Sequence, residues 1–170
     1  MTPLREFAPY PLALGGGTLA IAPMPGRTRH YGTDRDALLG WRPSLVLSMT
    51  TQPELDRKGA GALGEDLAAA GIGWRHLPVA DFGVPDAAVE VIWPAVEADA
   101  LAALARGDRV LVHCFGGCGR SGMAALRLMI AAGEPPKTAL ARLRATRPCA
   151  VETDAQLFWA TGGRLTKLPG

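Results

Sequence analysis

Cysteines are scarce in this sequence. The 170-residue chain has three, at positions 114, 118 and 149. An odd number placed late in the chain does not form a disulfide framework, so we expect free thiols and a reducing, cytoplasmic location. His113 stands beside two of them, but this set is short of four metal ligands and the nearby Arg120 repels a cation. We therefore expect no metal and no cofactor.

The sequence also lacks a strong excess of charge and long apolar runs. Its net charge is only +2, which argues against a large basic surface and against a nucleic-acid partner. No apolar run is long enough to span a membrane, so we expect no membrane partner. Pro9, Pro11 and Gly15–Gly17 interrupt the apolar N-terminal stretch, which is therefore not expected to be a signal peptide.

Short apolar runs alternate with helical patterns, which predicts an α/β fold. We expect one domain over residues 1–170, in which a central, mostly parallel sheet of four to five strands is flanked by helices and residues 1–17 form an irregular extension. A monomer is expected. The predicted strands are 18–22, 44–49, 73–79 and 109–113, and the predicted helices are 53–71 with a break, 85–105, 121–133, 136–146 and 153–160.

The stretch HCFGGCGRSG, residues 113–122, lies between a predicted buried strand and a predicted buried helix. A helix N-terminus after a tight loop is an anion-binding arrangement, because its backbone N–H groups are unpaired. Gly116, Gly117 and Gly119 allow backbone angles that let successive N–H groups converge. Arg120 adds a planar fork suited to two phosphate oxygens. The stretch therefore predicts a phosphate cradle.

Cys114 adds a nucleophile to this cradle. A thiolate is stabilised at a helix N-terminus beside an arginine, and Ser121 is placed to donate a hydrogen bond to it. This combination predicts phosphoryl transfer to sulfur followed by hydrolysis. The alternative is that Cys114 is only a small buried apolar side chain. The joint presence of the glycines, Arg120 and Ser121 argues against that alternative.

His113, Cys114, five residues, Arg120 and Ser121 together resemble the signature of the cysteine-dependent protein phosphatases. The chain length is similar to that of the small dual-specificity group, and within it to the kinase-associated phosphatase family. Further likeness lies in SLVLSMTTQPEL, VADFGVPD and AVETDAQ, in that order along the chain. The resemblance implies hydrolysis of phosphomonoesters on phosphorylated tyrosine, serine or threonine of a protein, through a cysteinyl-phosphate intermediate.

The resemblance also implies a general acid at Asp81, on a loop that closes over the site in this family. Gly83 and Pro85 interrupt regular structure there, as expected for a movable loop. Asp86 in the same loop is the alternative acid, although it is well placed to cap the following helix.

The remaining implied roles concern substrate and water. Gln156 matches a glutamine that orients the hydrolytic water, whereas Glu152 stands where another glutamine is expected, and its charge would repel phosphate.

The neutral Phe115 and Cys118 favour a monophosphorylated substrate. Cys118 is also a candidate disulfide partner of Cys114, with simple packing as the alternative. The predicted substrate-binding residues are Phe115, Gly116, Gly117, Cys118, Gly119, Arg120 and Gln156.

Two other functions are compatible with this loop. One is a phosphoresidue-binding module without turnover, which Glu152 favours but the joint presence of Cys114, Arg120 and Asp81 does not. The other is a rhodanese-like sulfurtransferase, which needs no upstream aspartate and whose loop is not usually followed by Arg-Ser.

Overall fold

The computed structural model describes residues 7–170, which fold around one sheet with strand order β1-β2-β5-β3-β4. Strands β2, β5, β3 and β4 are parallel, and β1 pairs antiparallel with β2. The elements are β1 (Tyr10–Leu14), β2 (Gly17–Ala22), α1 (Tyr31–Trp41), β3 (Leu45–Ser48), α2 (Gln52–Arg57), α3 (Leu63–Ala69), β4 (Gly73–His76), α4 (Ala87–Ala105), β5 (Arg109–His113), α5 (Gly119–Ala131), α6 (Pro136–Thr146) and α7 (Asp154–Ala160). The predicted fold class is confirmed.

Strand β1 lies inside the stretch that the sequence predicts to be irregular. That expectation is wrong for Tyr10–Leu14, while residues 1–6 of the extension lie outside the described residues. Pro11 lowers the expectation of a strand because it has no N–H to donate. At the edge of a sheet one side of a strand has no partner, so a proline is tolerated there.

The central strand β5 is buried on both faces, as its apolar sequence predicts. Val110 and Val112 point to the layer formed by α4, α5, α6 and α7. Leu111 points to the opposite layer, which contains α1, α2 and α3. Because successive side chains of a strand point to opposite faces of the sheet, this one short segment contributes to both halves of the core.

Helix α5 is held tightly at the centre of the molecule. It contacts β2, β5, α4, α6 and α7, and most of its side chains are buried. Its first turn therefore has a fixed position at the carboxyl edge of the parallel strands, where α/β folds commonly bind ligands. Across residues 7–170, no helix combines the length and the apolar character needed to cross a bilayer.

We predict that Leu111→Ala destabilises the protein by about 2–5 kcal/mol, because it removes buried methyl groups from a close-packed core. Val91→Ala is the matched control, since Val91 is 79% exposed, and it should change stability by less than about 0.5 kcal/mol. Urea denaturation measures both effects. Equal stability of the two variants would contradict the assigned core.

Candidate active site

The segment from Cys114 to Arg120, here called the cysteine loop, runs from the end of β5 into the first turn of α5. Cys114 is buried, with 3% of its surface exposed. Its Sγ lies 3.2 Å from Ser121 Oγ in the first turn of α5. The predicted nucleophile and its hydrogen-bonding serine are therefore in contact.

The carbonyl oxygens of residues 115–118 accept hydrogen bonds from donors outside the cysteine loop. The bonds are Met24 N to Phe115 O (3.0 Å), Arg147 Nη2 to Gly116 O (3.0 Å), Arg147 Nε to Gly117 O (3.0 Å), and both Gly122 N (2.9 Å) and Val151 N (3.3 Å) to Cys118 O. Because C=O and N–H point in opposite directions across a trans peptide, this arrangement turns the loop N–H groups to the other side.

The backbone N–H groups of residues 115–121 have no acceptor among residues 7–170. The last three belong to the first turn of α5, where N–H groups have no partner within the helix. A run of unpaired N–H groups at a helix N-terminus is the arrangement that binds phosphate. The predicted cradle therefore has the backbone orientation that it requires.

The three loop glycines differ in what the structure requires of them. Gly117 has a φ of +72°, and a Cβ there would lie 2.7 Å from the backbone of Ala22. A Cβ on Gly119 would collide with a carboxylate oxygen of Glu152. Gly116 shows neither a positive φ nor a close neighbour. The predicted freedom of φ is therefore required at Gly117 alone.

Arg120 is almost completely buried, with 1% of its surface exposed. Its Nη1 donates to Glu54 Oε2 and to Val79 O, both at 2.8 Å, and its Nη2 donates to Glu54 Oε1 at 2.8 Å. Asp81 Oδ1 lies 3.3 Å from Nη2. The buried Nε has no acceptor among residues 7–170. Nη1 and Nη2 are thus held by acceptors of the protein, while Nε stays available for a bound anion.

Sequence reasoning missed Glu54, the main partner of Arg120. Its carboxylate also accepts from Thr51 N at 2.8 Å and Thr51 Oγ1 at 3.0 Å. Burial acts to raise the pKa of Glu54, but the bonds from Arg120 and Thr51 outweigh it and lower the pKa to about 2. The pattern T-x-x-E indicates a helix start. Nothing in that pattern points to an arginine 66 residues away.

His113 supports the cysteine loop as a neutral side chain. It is fully buried, and burial lowers its pKa to about 4. Its Nε2 lies 2.6 Å from Ser48 Oγ, which accepts from Trp74 Nε1, and its Nδ1 lies 3.2 Å from Cys114 O. All these groups are satisfied if Ser48 donates to Nε2 and Nδ1–H donates to the carbonyl. His113 therefore bonds to the backbone carbonyl of the candidate nucleophile, Cys114.

The structure separates the two candidate acids. Asp81 is 55% exposed and lies beside Arg120 in the site. Asp86 accepts a hydrogen bond from Val89 N at 3.0 Å and caps α4. Asp81 is thus the aspartate that reaches the cysteine loop, and Asp86 has the capping role expected of it.

The match to known proteins agrees with this geometry. Residues 28–140 match the family model of cyclin-dependent kinase inhibitor 3. The chain belongs to this family. Mouse cyclin-dependent kinase inhibitor 3 is 30% identical over 120 residues, which are 70% of this chain and 56% of the relative. The chain thus spans little more than half the length of that curated relative. The resemblance to the kinase-associated phosphatase family is confirmed.

Solved structures show the same fold. Kinase-associated phosphatase, with serine in place of its catalytic-site cysteine, superimposes with a TM-score of 0.81 at 24% identity, covering 94% of this chain and 95% of that chain. Tk-PTP in its active form gives a TM-score of 0.67 at 27% identity, covering 86% and 92% respectively.

Gln156 connects the Asp81 loop to the segment before α7. Its Nε2 donates to Gly83 O at 3.1 Å, and its Oε1 accepts from Glu152 N at 2.9 Å. The amide is buried and engaged on both sides, so its role in orienting water stays a prediction. The exposed Glu152 extends a carboxylate oxygen to Gly119 at the start of α5.

The cysteine pairing differs from the sequence-based expectation. Cys118 forms a disulfide with Cys149, with their Cα atoms 5.1 Å apart, and Cys114 is the free cysteine. The expectation of three free thiols is therefore wrong, and Cys118 is not bonded to Cys114. The partner segment approaches the cysteine loop from the side that carries its carbonyl oxygens, through the hydrogen bonds of Arg147 and Val151. A separation of 31 residues gives no sequence signal of this proximity.

We predict that the stabilisation contributed by Glu54 depends on pH. Its folded-state pKa of about 2 lies below the ordinary value of 4.5, so its contribution is complete above about pH 4.5 and is lost as pH falls toward 2. The parent should be more stable than Glu54→Gln at neutral pH, and this difference should shrink in acid. Urea denaturation from neutral pH to about pH 3 measures the trend.

Glu65→Gln is the control for this prediction, because Glu65 is an exposed residue on the neighbouring α3. It should show little difference from the parent at any pH. A difference between the parent and Glu54→Gln that does not change with pH would contradict the ion-pair interpretation.

Proposed function

We propose that this chain is a cysteine-dependent phosphatase that hydrolyses phosphomonoesters, with a phosphorylated protein as its substrate. The observation that carries the proposal is the run of N–H groups at residues 115–121 without acceptors among residues 7–170. They adjoin the buried Nε of Arg120 and the free thiol of Cys114. A phosphate dianion suits this site, because it carries negative charge and several acceptor oxygens for these donors.

In the proposed reaction, the cysteine loop and Arg120 hold the phosphate while Cys114 Sγ attacks phosphorus. The P–O bond to the substrate breaks, and Asp81 gives its proton to the departing oxygen. Water then attacks the cysteinyl-phosphate, Asp81 accepts a proton from it, and the P–S bond breaks to release inorganic phosphate and the thiolate. A hydrogen bond from Ser121 stabilises that thiolate.

Cys114→Ser should abolish turnover of an aryl phosphate, by at least ~10³-fold, because the hydroxyl is a far weaker nucleophile. The variant should still bind inorganic phosphate, since the N–H groups and Arg120 remain. Ser121→Ala is the companion variant and should slow turnover without abolishing it. Steady-state kinetics in a metal chelator and phosphate titration measure both properties. Full activity of Cys114→Ser, or a need for a divalent metal, would refute the mechanism.

Asp81→Asn should lower kcat by roughly 10²–10⁴-fold, with the largest loss for poor leaving groups, because a general acid matters most when the departing oxygen is basic. It should also flatten the basic limb of the pH profile. Asp86→Asn is the control and should affect mainly stability, by about 1 kcal/mol or less, through the cap of α4. If only Asp86→Asn changes the leaving-group dependence, the assignment of the acid is wrong.

One observation favours a second function, a phosphoresidue-binding module without turnover. The Glu152 carboxylate lies against Gly119, where its charge opposes a bound phosphate. The position of Asp81 beside Arg120 favours the active enzyme instead. Measurable turnover of a phosphopeptide separates the two functions, and a thiosulfate assay tests the sulfurtransferase alternative.

The neutral side chain of Phe115 is consistent with a monophosphorylated site, whereas Cys118, also predicted to bind substrate, is engaged in the disulfide with Cys149 on the opposite side of the loop. We propose that the enzyme acts as a monomer in the cytoplasm. A disulfide in that compartment forms under oxidising conditions and is usually transient or redox-sensing. Thiol labelling in intact cells would measure how often Cys118 and Cys149 are bonded.

Cations surround the entrance of the site. The guanidinium of Arg27 lies 5.6 Å from the centre of the Phe115 ring, and the Lys58 ammonium lies 5.8 Å from it. A cleft of about 190 Å³ here is lined by Glu54, Arg57, Lys58, Asp81 and Phe115. Within residues 7–170, no carboxylate forms an ion pair with Arg27, Arg57 or Lys58. These charges remain available to substrate.

We predict that phosphopeptides with acidic residues beside the phosphorylated residue are preferred. Arg57→Ala and Lys58→Ala should each raise KM for an acidic phosphopeptide by about two- to five-fold, the range of exposed ion pairs, and leave its neutral counterpart unchanged. Lys137→Ala, an exposed cation on α6, should change neither. Equal effects on both peptides would contradict a charge-based preference.

A further inference from the structure

Most of the hydrogen bonds that hold the carbonyl oxygens of the cysteine loop come from one short segment between α6 and α7, residues 147–151, here called the support segment. Arg147 donates to the carbonyl oxygens of Gly116 and Gly117. Val151 N donates to Cys118 O. Between these contacts, Cys149 forms the disulfide with Cys118. The disulfide is thus the covalent link at the centre of this non-covalent attachment.

The support segment is itself fixed to the body of the protein. Arg144 donates to Ala150 O at 2.9 Å and to Val151 O at 2.8 Å. The guanidinium of Arg147 lies 4.2 Å from the centre of the Tyr10 ring. The catalytic steps use none of these groups. Their contacts place a rigid support behind the loop, on the side opposite its unpaired N–H groups.

We propose that the Cys118–Cys149 disulfide positions the cysteine loop for phosphate binding and catalysis, so that reducing it weakens both. This inference rests on the proposed phosphatase function. Cys118 immediately precedes α5, whose first N–H groups complete the cradle. Releasing its side chain from Cys149 leaves this end of the loop with only hydrogen bonds to the support segment. A displacement of about 1 Å is enough to cost ~10²-fold in rate.

The redox step is an ordinary thiol–disulfide exchange with a dithiol as the reductant. A thiolate of the dithiol attacks one sulfur, the Cys118–Cys149 bond breaks, and the second thiol of the dithiol closes its own disulfide. The protein gains two electrons and two protons, giving one thiol on each cysteine. Cys114 takes no part in this exchange. For full activity, Cys114 must therefore be a free thiol and Cys118 must be bonded to Cys149.

The test compares the oxidised parent, the dithiol-reduced parent and the Cys118→Ala/Cys149→Ala double variant, each assayed after removal of the dithiol under anaerobic conditions. The double variant and the reduced parent should both show KM and the inhibition constant of inorganic phosphate raised on the order of 10-fold, with a lower kcat. Reoxidising the reduced parent with an oxidised dithiol should restore the original values. The double variant keeps Cys114 but lacks the disulfide. Any gain in its activity after dithiol treatment therefore measures only the reduction of oxidised Cys114.

All constants are measured well below the unfolding midpoint of each form, with circular dichroism confirming folded protein. If the double variant has a lower melting temperature but unchanged KM, kcat and phosphate inhibition, the disulfide serves stability only and the proposal is overturned. Thiol alkylation and intact mass of the fully active protein should show one free thiol, and three would also overturn it. If the parent has no turnover, the proposed function fails separately, and direct phosphate titration still tests the positioning of the loop.

Discussion

The hydrogen bonds that hold the carbonyl oxygens of the cysteine loop from outside are the interactions on which the candidate site depends. A peptide plane cannot direct its C=O and its N–H to the same side. Once Arg147, Met24 and Val151 hold the carbonyls, the N–H groups converge on the opposite side. The candidate cradle and the role proposed for the disulfide both follow from this orientation.

The electrostatics of the site depend on the two carboxylates that contact Arg120. Glu54 holds two of its nitrogens and has a pKa of about 2, so it is charged throughout the physiological range. This pair fixes the guanidinium plane before any substrate binds. Asp81 contacts the same arginine from an exposed position, which suits a group that exchanges protons. One buried cation thus orients both the phosphate site and the proposed acid.

Much of the fold could be predicted because the signals are local. The apolar run of β5 and the apolar helix α5 follow from the periodicity of a few consecutive residues. The cysteine motif places Cys114, Arg120 and Ser121 within one loop and one helical turn, so their proximity is a consequence of chain connectivity. The sequence does not predict strand β1, because Pro11 argues against a strand unless the strand is known to be at an edge.

The fold class and the positions of the candidate nucleophile, the candidate phosphate-binding arginine and the candidate phosphate cradle can be derived from the sequence alone, because each depends on neighbouring residues in a strand–loop–helix unit. The partners of these groups are apparent only in the folded protein. Glu54, the cations around Phe115 and the Cys118–Cys149 pair reach the site from distant segments, brought together by the packing of helices on the sheet. Folding also gives Asp81 and Asp86 different surroundings, since a difference of five positions in one loop becomes a contact with Arg120 or a helix cap only in the tertiary structure.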